Sequence, residues 1–214
     1  MSRPLLLGHR GARGVKAIPE NTLASFDRAL ADGCDGFEFD VRLTGDGQAV
    51  VCHDPRVGRK EVAHTASDEL PTLPRLRDVL ARYGDAFLDI ELKVSGLERI
   101  VIEALRERRP RQFVVSSYLP EVLVNLHDED ATVPMGLICE TKAQLARWRE
   151  MPIAYVIPQC ALVDETSVRQ IKNAGKRILV WTANTREEML RCADLGVGGI
   201  ISDNTVLLCN TLTA

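Results

Sequence analysis

Apolar residues recur in short blocks along this chain. Each block is followed, after a polar interval, by a stretch in which apolar residues return every third or fourth position. The blocks read as strands and the stretches as helices. Pro4 to Gly8 forms the first block and ends in His9-Arg10-Gly11, with a loop through Gly14 to Pro19 behind it. Leu23, Phe26, Leu30 and Ala31 then fall at helical spacing, and Gly33 supplies a stop. The stretch from Gly36 to Asp54, GFEFDVRLTGDGQAVVCHD, contains a turn signal at Thr44-Gly45-Asp46-Gly47 between two β-rich runs, so it predicts a hairpin in which Leu43 pairs with Ala49. That register carries His53 and Asp54 back opposite Phe39 and Glu38. An irregular polar segment runs to Pro71, a helix is expected from Leu73 to Tyr83, and a strand from Ala86 to Lys93. Strand and helix patterns then alternate to the end. Counting strands from Leu5, Phe37, Phe87, Val114, Met135, Tyr155, Leu179 and Ile200 gives eight, with the returning hairpin arm left over as an excursion. The pattern predicts an α/β fold, a single TIM (β/α)8 barrel domain over residues 1–214, with a β-hairpin excursion and a short cap segment after strand two. An open doubly wound sheet would carry a glycine-rich phosphate loop after its first strand, and HRGARG lacks the GxGxxG spacing.

Composition narrows the partners. At 214 residues and 45% hydrophobic content the chain can bury a substantial core. Its net charge of −3 and dispersed basic residues leave no electrostatic footprint for nucleic acid or an anionic membrane, so any phosphate binding must be local. Six scattered cysteines without a CxxC pair argue for reduced, buried thiols and against structural zinc or a disulfide framework. The apolar run in MSRPLLLGHR is too short for a signal peptide, and no later stretch is long and apolar enough to span a bilayer. A cytoplasmic protein is expected. Nothing in the sequence fixes its oligomeric state.

The chemistry gathers where a barrel would need it. Active-site residues of such barrels lie at the carboxyl ends of strands or just beyond. His9 and Arg10 end the first strand, Glu38 and Asp40 the second, with His53 returned by the hairpin, and Glu91 and Lys93 the third. Residues two apart on a strand share a face, so Glu38 and Asp40 can point at one object. Three carboxylates plus water would complete an oxygen site for one divalent cation, Mg²⁺ or Ca²⁺, while Arg10 and Lys93 supply positive charge for an anionic substrate. A phosphodiester needs its non-bridging oxygens neutralised, a proton taken from the nucleophile and a proton given to the leaving alkoxide. His9 and His53 could perform the last two. From the hairpin residues alone, a solvated polar face stands as the competing reading.

HRG near the N-terminus, PENT at 19–22, ExD at 38–40, DG…VVxHD at 46–54, ELK at 91–93 and WTxN at 181–184 together resemble the glycerophosphodiester phosphodiesterase family over nearly the whole chain. The resemblance implies a TIM-barrel enzyme that hydrolyses small-molecule glycerophosphodiesters to glycerol 3-phosphate and an alcohol with a divalent cation. Carried over by motif, Glu38, Asp40 and Glu91 would bind the metal, His9 and His53 form the acid/base pair, and Arg10 and Lys93 contact phosphate. A glycerol hydroxyl would attack phosphorus first, and water would open the resulting cyclic phosphate. Two departures qualify the match. The stretch between His53 and Glu91 is short for the family, so an open mouth admitting bulkier alcohols is expected. SDNT stands where members commonly have Thr-Asp or Thr-Asn followed shortly by Pro, which weakens a role for Asp203. Glu20 is expected to buttress Arg10, and Trp181 to wall the substrate pocket. Ser117 and Gln159 are open on the same logic, while Cys52 reads as a structural thiol and His64 and His127 as surface residues. A lysophospholipase D-like enzyme would use the same groups on a lipid head group. A metal-dependent barrel aldolase or lyase would gather similar acids but has no clear need of two histidines.

Overall fold

A computed structural model describes residues 3–213. The chain runs β1 (Leu5–Gly8), α1 (Leu23–Ala31), β2 (Gly36–Leu43), β3 (Ala49–Val51), β4 (Arg56–Val57), β5 (Lys60–Glu61), α2 (Leu76–Arg82), β6 (Phe87–Leu92) and α3 (Glu98–Glu107). It continues with β7 (Gln112–Ser117), α4 (Pro120–Glu129), β8 (Met135–Cys139), α5 (Lys142–Ala146) and β9 (Tyr155–Pro158). The remainder is α6 (Glu165–Asn173), β10 (Arg177–Val180), α7 (Arg186–Asp194), β11 (Gly199–Ser202) and α8 (Thr205–Leu212). Eight strands pair in parallel in the order β1, β11, β10, β9, β8, β7, β6, β2, and β2 returns to β1 through Leu7 beside Gly36. The sheet is a closed barrel with helices between its strands, as the pattern predicts.

Alternation along the strands sorts the core. Leu6, Phe37, Phe39, Leu88, Ile90 and Val115 face outward into the main cluster beneath the helices. Leu7, Phe87, Val114, Ile138, Tyr155, Ile157, Leu179 and Ile201 form a second cluster that fills the barrel. Gly36 is required where β2 meets β6, because a Cβ there would sit 1.9 Å from the Phe87 carbonyl oxygen. Helix α1 opens with a reciprocal cap in which Thr22 Oγ1 accepts from the Ser25 amide and Ser25 Oγ from the Thr22 amide. It packs Phe26 flat on Phe37, ring centroids 4.2 Å apart, with Tyr83 edge-on to both.

The hairpin has the expected register, Leu43 opposite Ala49 and Val41 opposite Val51. One further bond, from the Cys52 amide to the Asp40 carbonyl, brings the returning arm to His53. The next segment differs from the irregular stretch expected. β4 and β5 form a small antiparallel pair, two 3₁₀ turns follow at Val62–His64 and Ser67–Glu69, and Val50, Cys52, Val62 and Leu70 make a private apolar cluster. α2 begins at Leu76 and not at Leu73. The Pro74 carbonyl accepts from the Val51 amide and Arg75 bridges to Val50, so these residues extend the hairpin before the helix can start. All six cysteines are free and buried, and no helix among the described residues is long and apolar enough to cross a membrane.

Candidate active site

The carboxyl ends of β1, β2 and β6 bring the acids and imidazoles together. Parallel pairing sets Glu38 beside Asp89 and Asp40 beside Glu91, so four carboxylates share one buried corner. Among the described residues, Arg10 and Lys93 are the cations that stand with them. Lys93 Nζ lies 2.6 Å from Glu91 Oε1 and 3.0 Å from Asp40 Oδ1, and Arg10 Nε is 3.3 Å from Asp40 Oδ2. Negative charge is therefore in excess. Burial, then the charges of Asp40 and Glu91, push Glu38 well above the usual carboxylate range. Burial and the Asp40 charge push Glu91 up to about 7, and burial pushes Asp89 up to about 7 against a hydrogen bond from Ser116. Asp40 goes the other way: burial opposes ionisation, but Lys93, Arg10 and the Asn21 amide hold it below its ordinary value.

These residues fit a hard divalent cation. One oxygen from each of Glu38, Asp40 and Glu91 lies within 4.8 Å of the others, about the spread that three oxygens at roughly 2.0–2.6 Å from one ion can have. Glu38 Oε1 is buried and has no hydrogen-bond partner. A buried carboxylate oxygen left bare is costly unless a cation claims it.

The two histidines flank this corner. His9 Nδ1 lies 2.7 Å from Asp203 Oδ1, and its Nε2 is 3.8 Å from Glu38 Oε2. Hydrogen bonds from His9 and Asn184 and the nearby charges of His9 and Arg13 outweigh burial and hold the Asp203 carboxyl far below its usual range. An ionised carboxylate can only accept, which assigns the proton to Nδ1 and turns Nε2 to the pocket. His53 Nδ1 likewise lies 2.7 Å from Asp54 Oδ1, and Arg42 Nε donates to the His53 carbonyl at 2.7 Å. Burial draws the His53 imidazole below its ordinary value, against the pull of Asp54.

Both His9 and His53 line a cavity of about 410 Å³, together with Arg10, Glu38, Glu91 and Lys93. Across it stand Tyr118, Glu140 and Trp181, with isoleucines beneath. Trp181 meets Tyr118 edge to face at 5.8 Å and donates its indole N–H to the Ile157 carbonyl at 3.1 Å. Glu20 takes the place expected for it, accepting from Arg10 Nη1 at 2.6 Å and from Arg13 Nε at 2.8 Å. Ser117 does not reach the cavity; its hydroxyl donates to the Leu92 carbonyl and caps Leu119. Gln159 is held by backbone pairing beside Trp181. Cys52 sits in the cluster under the cap, its thiol donating to the Asp54 carbonyl.

Sequence reasoning missed several residues here. Asp203, discounted for its SDNT context, is the partner of His9, and Asn184 holds it with a side-chain bond of 2.8 Å. Asp89, which the alternation of its strand puts on one face with Glu91 and Lys93, was not missed as an acid, but it lines the cavity as a fourth carboxylate where only an orienting role is expected. Asn21 donates to Asp40 Oδ2 at 2.7 Å from a left-handed backbone, φ 57°, and Arg10 is left-handed too, φ 49°. Such strain gathers at functional sites, and the asparagine of PENT was the available signal.

The profile of the glycerophosphoryl diester phosphodiesterase family matches residues 9–79 and 60–207. A glycerophosphodiester phosphodiesterase of Caldanaerobacter subterraneus is 29% identical over 97% of each chain. A phosphodiesterase of Oleispira antarctica, solved in complex with the product sn-glycerol-3-phosphate, superposes with a TM-score of 0.86 at 26% identity, over 99% of this chain and 98% of that one. A glycerophosphodiester phosphodiesterase of Thermotoga maritima shares the fold, with a TM-score of 0.83 at 24% identity over 98% of this chain and 99% of its own. With a profile match over most of its length, the chain belongs to the glycerophosphoryl diester phosphodiesterase family.

Proposed function

We propose that this chain, as one catalytic domain, hydrolyses glycerophosphodiesters to glycerol 3-phosphate and an alcohol, with one divalent cation, Mg²⁺ or Ca²⁺, and the pair His9 and His53 as acid and base. The observation that carries this reading is the convergence of Glu38, Asp40 and Glu91 within 4.8 Å in a cavity that both imidazoles line. The product complex of the Oleispira antarctica relative supports the substrate class.

When bound between Glu38, Asp40 and Glu91, the cation would neutralise charge on the phosphate's non-bridging oxygens. Arg10 and Lys93, at the same rim, add positive charge toward the phosphate. One imidazole takes the proton of the attacking hydroxyl as the new P–O bond forms. The other gives its proton to the alcohol oxygen as the old P–O bond breaks. If the attacking hydroxyl is glycerol's own, water then opens the cyclic phosphate with the two imidazoles in exchanged roles, so that over the full cycle one water is consumed and both histidines return to their starting state. Asp203 and Asp54 hold the two Nδ1 protons, so each ring works through Nε2, bare in the ring that acts as base and protonated in the ring that acts as acid.

The test is ³¹P NMR of glycerophosphocholine hydrolysis with Mg²⁺ or Ca²⁺, with and without EDTA, in the wild type and in His9→Ala and His53→Ala. Glycerol 3-phosphate should form only with cation and both histidines. Turnover that survives both substitutions would overturn the catalytic assignment.

A further inference from the structure

We propose, resting on the phosphodiesterase reading above, that the aromatic and acidic wall of the cavity selects substrates whose alcohol carries a quaternary ammonium, as choline does. The barrel's strand order separates two halves of the mouth. Acids, imidazoles and the cations Arg10 and Lys93 come from β1, β2 and β6 and from the hairpin. The opposite half comes from the ends of β7, β8, β9 and β10, which supply Tyr118, Glu140, Ile157 and Trp181.

The chemistry of that second half is specific. Tyr118 and Trp181 meet at 89° between ring planes, which presents an aromatic corner and not a flat wall. Trp181 has its N–H committed to the Ile157 carbonyl, and the neighbouring side chains Ile138 and Ile157 are apolar, so the corner offers few donors to a polyol. It offers ring faces, which attract a poorly hydrated cation. The Tyr118 ring already receives one: Lys93 Nζ stands 5.7 Å from its centroid. Glu140 completes the corner. Its backbone N–H is held by Gln144, its side chain is exposed at the cavity rim, and its carboxylate enters no ion pair among the described residues. Lys93 has Asp40 and Glu91 as its ion-pair partners, which leaves Glu140 to serve an incoming cation. Aromatic faces with an unpaired carboxylate suit a trimethylammonium group better than a neutral hydroxylated arm.

Two measurements decide it. Calorimetric titration compares choline with its uncharged isostere 3,3-dimethyl-1-butanol; a cation over partly desolvated rings favours choline by about tenfold. Steady-state kinetics then compare kcat/KM for glycerophosphocholine with that for glycerophosphoglycerol. That ratio should stand near tenfold in the wild type, fall roughly tenfold in Trp181→Leu and fall a few-fold in Glu140→Gln. Equal affinity for the two alcohols, or a ratio that neither substitution moves, would overturn the proposal. Loss of activity on both diesters alike in Glu140→Gln would assign that carboxylate to the glycerol arm and also overturn it. If no glycerophosphodiester is hydrolysed at all, the phosphodiesterase reading falls while the choline titration still decides this one.

Discussion

Replacing Asp203 by asparagine removes one charge and one acceptor from the pair that orients His9. In the structure Asp203 accepts from His9 Nδ1 at 2.7 Å, from Asn184 Nδ2 at 2.8 Å and from Arg13 Nη1 at 3.3 and 3.4 Å. Hydrogen bonds to an ionised partner contribute about 1.5–3 kcal/mol each when buried. The Asp203 side chain is 22% exposed and that of Arg13 40%, so solvent screening cuts the Arg13 contact to the ~0–1 kcal/mol of a surface pair. An amide keeps one oxygen, which cannot serve His9 and Asn184 as two did. The expected loss is roughly 1–2 kcal/mol of stability, a fall in Tm of about 2–8 °C for a chain of this size. Activity should suffer more, because a ring free to flip or to take the other tautomer no longer offers Nε2: kcat should drop about 10²-fold with KM little changed. Acid unfolding adds a second readout. The folded Asp203 carboxyl titrates far below the roughly 3.9 of an unfolded aspartate, so it stabilises the fold above that pH and loses this contribution as pH falls further. Asp203→Asn should flatten that part of the stability curve. A variant with lowered Tm but kcat within about threefold of wild type would refute the orienting role.

Three other outcomes follow from the packing. Gly36→Ala, whose Cβ would meet the Phe87 carbonyl oxygen at 1.9 Å, should cost about 3 kcal/mol or more in chemical denaturation or prevent folding; a change under about 1 kcal/mol would mean that the β2–β6 seam is looser than described. Asn21→Gly keeps the left-handed backbone but loses the donor to Asp40, whereas Asn21→Ala loses both, so the alanine variant should be the less stable by about 1 kcal/mol, and equal melting temperatures would contradict this. The six thiols are buried, and burial pushes Cys139 up to about 12 and Cys192 up to about 11. A colorimetric thiol reagent at pH 8 should therefore find almost none until denaturant is added, and rapid native labelling would be inconsistent with that core.

Much of the site could be read from local pattern. The two-residue repeat put Glu38 with Asp40, the turn at Thr44 to Gly47 fixed the hairpin register, and the same repeat put Glu91 with Lys93. Local pattern could not show what Lys93 touches: its ammonium lies on Asp40 and Glu91, within the acidic corner, because the pairing of β2 with β6 sets those two carboxylates side by side. Asp203 was illegible for a different reason. Its partner is 194 residues away, and only closure of the barrel, with Gly8 beside Ser202, brings the two together. The segment after Asp54 looked irregular because its two short strands and 3₁₀ turns are too brief to show a period, although Val62 and Leu70 still found a core with Val50 and Cys52. Helix α2 begins three residues later than its apolar spacing predicts, since Pro74 and Arg75 bond to the hairpin.

The central claim is that three converging carboxylates hold one divalent cation between the imidazoles. Titration of Mn²⁺, a spectroscopic substitute for Mg²⁺, followed by electron paramagnetic resonance, tests it most directly. One tight site per chain is expected in the wild type, with affinity falling at least about tenfold in Glu38→Gln and in Glu91→Gln. No bound ion, or an affinity that both substitutions leave unchanged, would contradict it.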